Sequence, residues 1–135
     1  MKKFYLPTEV ITGRGCLAQL GRVTARYGRR VMLVCGVHFA RRSGLWDRAL
    51  GLLRGEGLEV TVYDAVQGEA DLATVEAGIA LAREHGVEVL VGLGGGSAMD
   101  TAKAIAGLVK LPGRVWEYHA GRPLEGPGVP LITVP

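Results

Sequence analysis

The chain has 135 residues, which is the size of one ordinary globular domain. Its residues are 48% hydrophobic and 21% charged, a balance that is typical of a soluble globular protein. The net charge is only +3, and the 16 basic and 13 acidic residues are dispersed, so no concentrated basic surface for nucleic acid is expected.

The ends and the cysteines give no sign of export. Residues 1–3 are a basic start, but no apolar segment of the kind found in signal peptides follows them. No apolar run approaches the roughly eighteen residues that a membrane span needs. Cys16 and Cys35 lie far apart and form no C-x-x-C motif, so a disulfide framework is not expected. The sequence therefore predicts a cytoplasmic protein with no membrane partner and no nucleic-acid partner.

The first half of the chain alternates between two kinds of apolar spacing. Short runs rich in β-branched residues predict strands, and apolar residues three or four positions apart predict helices. The predicted elements are one or two short strands in residues 4–12, a helix at 16–27, a strand at 31–35, a helix at 44–54 and a strand at 58–63.

The second half continues the alternation. Asp71 is predicted to cap a helix that Gly86 ends. One face of this helix is apolar and consists of Leu72, Val75, Ile79 and Ala82. Residues 87–91 are predicted to be a strand buried on both faces, residues 111–129 a connecting loop rich in proline and glycine, and residues 130–134 the last strand. Strands that alternate with helices predict an α/β fold with a parallel, doubly wound sheet.

The stretch from Val89 to Lys103 leads from a strand through a glycine turn into a helix. The helix is predicted to bury one side, formed by Ala98, Ala102, Ile105 and Val109. The three consecutive glycines 94–96 carry no Cβ, so backbone amides can approach a ligand, and the N-terminus of a helix favours anions. We interpret the turn as a phosphate site, although it is neither a G-x-G-x-x-G motif nor a P-loop. The alternative is a tight turn closed by a capping box between Ser97 and Asp100.

Two predicted strands end in glycine at the same edge of the sheet. Ligands of parallel sheets bind beyond the carboxyl ends of the strands, where Gly36 and Gly94 are both predicted to lie. We therefore expect the two strand ends to border one crevice.

The motif Gly94-Gly95-Gly96-Ser97-x-x-Asp100-x-Ala102-Lys103 resembles the GGGSxxDxAK signature of the iron-containing (group III) alcohol dehydrogenases. Residues 9–15 resemble the opening strand and turn of that family, and residues 130–135 resemble the strand that closes its N-terminal domain. The resemblance implies a Rossmann-like, doubly wound sheet, the dehydroquinate-synthase-like N-terminal domain of the family. Residues 1–135 would then form one NAD(P)-binding domain.

The resemblance and the crevice together predict the cofactor-binding residues. They are Gly36, His38, Arg41, Gly94, Gly95, Gly96, Ser97 and Asp100. In the family, the strand that ends here at Gly36 often terminates in an aspartate that holds the adenosine ribose hydroxyls of NAD. Residues 36–39 contain no acid, and Arg41 and Arg42 follow, so the sequence favours NADP over NAD. The alternative is that both arginines are solvated surface residues.

The resemblance also implies what this chain does not supply. Relatives continue into a helical domain whose aspartate and three histidines hold Fe²⁺ or Zn²⁺, and that domain is absent from this chain. No catalytic or metal-ligating residue is therefore predicted here, and the chain alone is expected to bind a nucleotide without turning over substrate. The intact family form would transfer hydride between an alcohol or aldehyde and NADP(H) or NAD(H). The alternative is a stand-alone nucleotide-binding or assembly module with no redox activity.

Three further expectations concern the surface. Residues 68–71 stand where many relatives carry Pro-Asn-Pro, so a ligand contact there is not carried over. Residues 116–118 resemble a segment that lies near the cofactor edge in the family, but Trp116 and Tyr118 are predicted rather to form an aromatic patch that seals the sheet. Surface that the family's second domain would cover is expected to be apolar, which leaves a homo-oligomer open.

Overall fold

The computed structural model describes residues 1–36, 38 and 42–135, and in this part of the chain strands and helices alternate. The strands are β1 (Arg30–Gly36), β2 (Glu59–Val66), β3 (Val89–Leu93) and β4 (Leu131–Val134). The helices are α1 (Leu20–Ala25, preceded by a 3₁₀ turn at Cys16–Gln19), α2 (Leu45–Gly55), α3 (Leu72–Glu84), α4 (Gly96–Leu108) and α5 (Val115–His119).

The four strands form one parallel sheet in the order β2-β1-β3-β4. From β1 the chain moves outward to β2 and then returns across β1 to add β3 and β4 on the other side. The direction of winding therefore reverses between β1 and β3. The predicted α/β class with a parallel, doubly wound sheet is confirmed.

The two central strands are buried on both faces, and alternate residues enter opposite cores. Met32 and Val34 of β1 lie in the core that α3 and α4 cover, whereas Val31 and Leu33 lie in the core that α1 and α2 cover. All four side chains are completely buried. Full burial of such a side chain stabilises the fold by about 1.5–3 kcal/mol. Since alternate residues of β1 are buried on opposite faces, helices must cover both faces of the sheet.

Helix α4 lies very close to β3, and small residues on both sides make this possible. A Cβ built on Gly92 would be 2.9 Å from the Cβ of Ala102. The predicted apolar side of the helix is buried, as its residues Ala98, Ala102, Ile105 and Val109 show. This packing holds the first turn of α4 directly at the carboxyl end of β3.

Helix α3 begins at the predicted cap, where Asp71 Oδ1 accepts a hydrogen bond from the Thr74 amide at 2.6 Å. Val75, Ile79 and Ala82 are buried as predicted. Leu72 was expected on the same face but is 43% exposed, because it is the first residue of the helix and lies beyond the part that packs on the sheet.

The predicted strands in residues 4–12 are wrong. This segment has no strand structure, and every residue from 1 to 15 is exposed. A strand requires a neighbouring strand to complete its hydrogen bonds, and no strand of the described chain lies beside this segment. An ion pair between Glu9 Oε2 and Arg26 Nη1, 3.2 Å apart, joins it to the end of α1.

The predicted loop at 111–129 contains a short helix, α5. Its start is closed by Glu117, whose amide donates to the Arg114 carbonyl at 3.1 Å and whose carboxylate accepts from the Arg114 amide. Val115 is the buried residue of this helix, and its amide donates to Glu76 Oε2 of α3 at 2.9 Å. Trp116 is 59% exposed, so the prediction that it seals the sheet is wrong.

Candidate functional site

A cavity of about 400 Å³ opens at the point where the winding of the sheet reverses. It is lined by Gly36 and His38 at the end of β1, by residues 66–68 at the end of β2, and by residues 94–98, which lead from β3 into the first turn of α4. The structure therefore brings the predicted strand ends at Gly36 and Gly94 to one crevice, as expected for a ligand site in a doubly wound sheet.

The glycine turn holds the N-terminus of α4 against this cavity. The Gly94 amide donates to the Val134 carbonyl of β4 at 2.9 Å, which ties the turn to the neighbouring strand. The Met99 amide donates to the Gly95 carbonyl at 3.2 Å and is the first of the helix. The amides of residues 95–98 therefore precede the helical hydrogen-bond pattern, and such amides are available to an anion at a helix N-terminus.

The three glycines of the turn are not equivalent. Gly94 has φ +117°, a conformation that L side chains rarely adopt, so the turn itself requires glycine there. Gly95 has φ −71° and ψ 179°, which any residue can adopt. A Cβ built on Gly95 or Gly96 would meet no heavy atom within 4 Å. The space in front of these two residues is thus left open by the protein and fits a phosphate group that packs against bare backbone.

The alternative of a capping box between Ser97 and Asp100 is wrong. The N-cap of α4 is Gly95, and no side chain caps this helix. Asp100 is exposed, and its Oδ1 lies 3.1 Å from Lys103 Nζ in an ion pair. Ser97 lines the cavity, whereas Asp100 is not among the lining residues. The cofactor-binding role of Asp100 stays a prediction.

The residues at the end of β1 that line the cavity carry no carboxylate. Gly36 is half-buried, and a Cβ there would make an ordinary contact, 3.7 Å from the Val66 carbonyl oxygen. His38 is exposed, and its carbonyl accepts a hydrogen bond from the Arg42 amide at 3.3 Å. None of the described residues that line the cavity is acidic. Arg41, also predicted to bind the cofactor, lies outside the described residues.

The sequence missed the contribution of β2. This strand was expected to end at residue 63, but it continues to Val66 and brings Gln67 and Gly68 to the cavity rim. The pairing of β1 with β2 shifts in register between Val34 and Gly36, which breaks the alternation that sequence patterns detect. The Gln67-Gly68 pair, with φ +61° at Gly68, is the turn signal that could have marked the true end of the strand.

The shifted pKa values lie away from this cavity. The pKa of Asp71 is lowered, chiefly by the hydrogen bond from the Thr74 amide. The pKa of Glu88 is lowered by the backbone amides of Arg30 and Arg29, and burial raises the pKa of Tyr63.

In the described residues no group of three or more His, Cys, Asp or Glu side chains is arranged to hold a metal ion. The site therefore offers backbone amides and an open cradle rather than a titrating side-chain cluster.

No helix in the described ranges is both long and apolar enough to cross a membrane.

Comparison with known proteins matches residues 7–135 to the family described as iron-containing alcohol dehydrogenase. The chain is 41% identical over 131 residues to a protein named probable NADH-dependent butanol dehydrogenase 2 of Bacillus subtilis, covering 97% of this chain and 34% of that protein. It is 35% identical over 105 residues to the NADPH-dependent butanol dehydrogenase of Clostridium saccharobutylicum, covering 78% of this chain and 26% of that protein.

Among solved structures, the chain is similar to an archaeal halo-thermophilic alcohol dehydrogenase from a Red Sea brine pool. The two share 28% sequence identity with a TM-score of 0.90, over 98% of this chain and 36% of that one. The chain thus spans about a third of the length of the relatives that it matches.

Proposed function

Because the chain belongs to the iron-containing alcohol dehydrogenase family, we propose that residues 1–135 are a domain that binds NAD(H) or NADP(H). The activity proposed for the whole protein is hydride transfer between a small alcohol or aldehyde and this cofactor.

One observation supports the proposal most strongly. The amides of residues 95–98 precede the hydrogen-bond pattern of α4, and no protein atom occupies the space where side chains at Gly95 and Gly96 would stand. Backbone donors at a helix N-terminus, next to the carboxyl end of a central parallel strand, are a favourable place for the diphosphate of a dinucleotide. Gly94, Gly95, Gly96 and Ser97 are proposed to bind the diphosphate, and Gly36 and His38 to border the adjoining ribose.

The bound dinucleotide supplies the nicotinamide ring that accepts or donates hydride. The residues of this chain bind and orient it. The turn fixes the diphosphate. Gly36 has no side chain, so the nucleotide can lie across the end of β1. Arg41 and Asp100 belong to the same proposal on sequence grounds alone.

We propose iron as the metal of the whole protein, because the family is described as iron-containing. The described residues supply no group of three ligands, so no step is derived through a metal here. Cys16 and Cys35 are not joined by a disulfide, which is usual in a reducing compartment, and a cytoplasmic location belongs to the same proposal.

The test is direct titration of the chain with NADH and with NADPH, followed by the fluorescence of the reduced nicotinamide. We expect saturable binding by the unmodified chain. Gly95→Val places two methyl groups where the phosphate would lie, so we expect at least about a tenfold loss of affinity, equivalent to about 1.4 kcal/mol.

Gly51→Val is the matched control, because Gly51 is exposed in α2 and a Cβ there also meets no heavy atom within 4 Å. It should leave the affinity unchanged. Unaltered affinity of Gly95→Val would show that the turn is not the phosphate site. A circular dichroism melt of both variants separates loss of binding from loss of structure, since Val is a poorer N-cap residue than Gly.

A further inference from the structure

We propose that Gln67 is a specificity-determining residue: its neutral amide lies against the ribose 2′ position of the bound dinucleotide, so that the site accepts the 2′-phosphate of NADPH. The inference rests on the proposed function. It adds a residue that neither the glycine motif nor the end of β1 supplies.

The geometry of the sheet edge places Gln67 at the far end of the cavity. Val66 is the register partner of Gly36, so Gln67 follows β2 at the level where β1 ends. Neighbouring strands are about 4.8 Å apart, which puts the end of β2 about 10 Å from the end of β3. A dinucleotide whose diphosphate lies at the turn therefore extends its next sugar over Gly36 and toward Gln67.

The lining of the cavity indicates which half of the cofactor lies there. Most of the lining is backbone, glycine and small side chains, and His38 is the one titratable side chain among the described lining residues. Such a surface suits the adenosine half of the dinucleotide, which is only bound, rather than the nicotinamide half, which reacts. The adenosine half, which carries the 2′ position that differs between NAD and NADP, is therefore assigned to the cavity.

The charge of the side chains at the cavity rim then decides whether the site accepts the 2′-hydroxyl of NAD or the 2′-phosphate of NADP. A carboxylate can accept a hydrogen bond from a ribose hydroxyl but repels a phosphate monoester, which carries about −1.5 to −2 charges at pH 7. Among the described residues, the polar side chains that line the β1–β2 end of the cavity are those of His38 and Gln67, and neither is acidic. The nearest acids along the chain are Glu69, which is exposed, Asp64 within β2, and Asp71, which caps α3, and none of the three is a lining residue. An amide can donate to either form of the ribose.

The experiment compares the affinities of the full chain for NADH and NADPH, measured by nicotinamide fluorescence, with those of Gln67→Glu. The unmodified chain should bind both nucleotides. In Gln67→Glu the new negative charge faces the 2′-phosphate, so NADPH affinity should fall by about tenfold or more. NADH affinity should change by less than about threefold, because a carboxylate can accept from the 2′-hydroxyl.

Gln19→Glu is the matched control, since it makes the same change of charge in the 3₁₀ turn before α1, away from the cavity. It should leave the NADPH-to-NADH ratio unchanged. Equal ratios in Gln67→Glu and Gln19→Glu would overturn the inference while leaving the proposed function standing. Binding of NADH alone by the unmodified chain would also overturn it. Absence of saturable binding of either nucleotide would instead refute the proposed function.

Discussion

Gly94, Gly95 and Gly96 are consecutive, but only the first of them is required by the backbone conformation. Gly94 is required by the backbone, because its φ of +117° is strained for any L side chain. Gly95 and Gly96 have open space around them and no such backbone demand. A folded chain could carry side chains at both positions, and under the proposed function their glycines let the diphosphate approach the main chain.

Asp71 illustrates a residue whose contribution depends on pH. Its carboxylate accepts the Thr74 amide, and this bond, followed by the Thr74 hydroxyl, holds the pKa of Asp71 below its ordinary value of 3.8. A lowered pKa in the folded state means that the carboxylate stabilises the fold above the unfolded pKa and that this stabilisation is lost as the pH falls through the folded pKa. The melting temperature should therefore be sensitive to Asp71 at neutral pH and insensitive at strongly acidic pH.

We expect Asp71→Ala to lower the melting temperature at pH 7 because α3 loses its cap. Asp71→Asn is the matched variant, since asparagine keeps an oxygen that can cap but does not titrate. The melting temperatures of the wild type and Asp71→Asn should differ at pH 7 and converge below about pH 4. A difference that stays constant from pH 7 to pH 3 would contradict the assignment.

At the scale of elements, the contact between α4 and β3 fixes the position of the glycine turn. A Cβ on Gly92 would be 2.9 Å from the Cβ of Ala102 and 3.4 Å from the Cα of Met99. Gly92→Ala should therefore push the helix outward and lower the free energy of unfolding by about 1–3 kcal/mol. Denaturant unfolding monitored by circular dichroism measures this change.

Ala102→Gly provides the matched partner, because it removes the atom with which the new methyl group collides. Alone it should cost about 1 kcal/mol, the usual penalty of glycine in a helix. The double variant Gly92→Ala, Ala102→Gly should be destabilised by less than the sum of the two single variants. Strict additivity would mean that the two positions do not touch in solution.

Most elements were predictable because their apolar spacing is local, whereas the errors arise from non-local pairing. The buried faces of α3 and α4 follow from residues three and four apart, such as Val75 with Ile79. The extended residues 4–12 have strand-like composition, yet composition cannot say whether a partner strand lies alongside. Helix α5 was missed because Arg114 is not a residue that usually precedes a helix.

The same distinction applies to the candidate site. The glycine turn and the glycine after β1 could be predicted, since each follows a run of buried strand residues. For Gln67, the Gln67-Gly68 turn signal could mark only where β2 ends. Its place at the cavity rim also depends on a register shift between β1 and β2 that no single-strand pattern contains. His38 was predicted and lines the cavity, whereas Asp100 forms a surface ion pair with Lys103.

At the scale of the molecule, the site depends on topology more than on any one side chain. Helix α2 covers one face of the sheet, and α3 and α4 cover the other. The two strand ends that border the cavity are those of β1 and β3. The chain leaves β1 toward one face of the sheet and leaves β3 toward the other, which opens a space between the two connecting segments. The cavity is therefore a consequence of the strand order β2-β1-β3-β4, and substitutions that preserve the cores should preserve it.

The exposed N-terminal segment leads to the last prediction. Residues 1–15 are entirely exposed, and Phe4 and Tyr5 retain 89% and 79% of their accessible surface. Apolar side chains grouped in an extended segment favour association with another surface, and β2 and β4 each leave one edge of the sheet without a partner strand in the described chain. We expect the chain to self-associate with increasing concentration in sedimentation velocity.

Replacing Phe4 and Tyr5 by serine should shift the distribution toward monomer. Serine at Tyr27, which follows α1 and is 44% exposed, should not. A purely monomeric wild type at high concentration would contradict this, and equal effects of both replacements would show that the segment is not the surface involved.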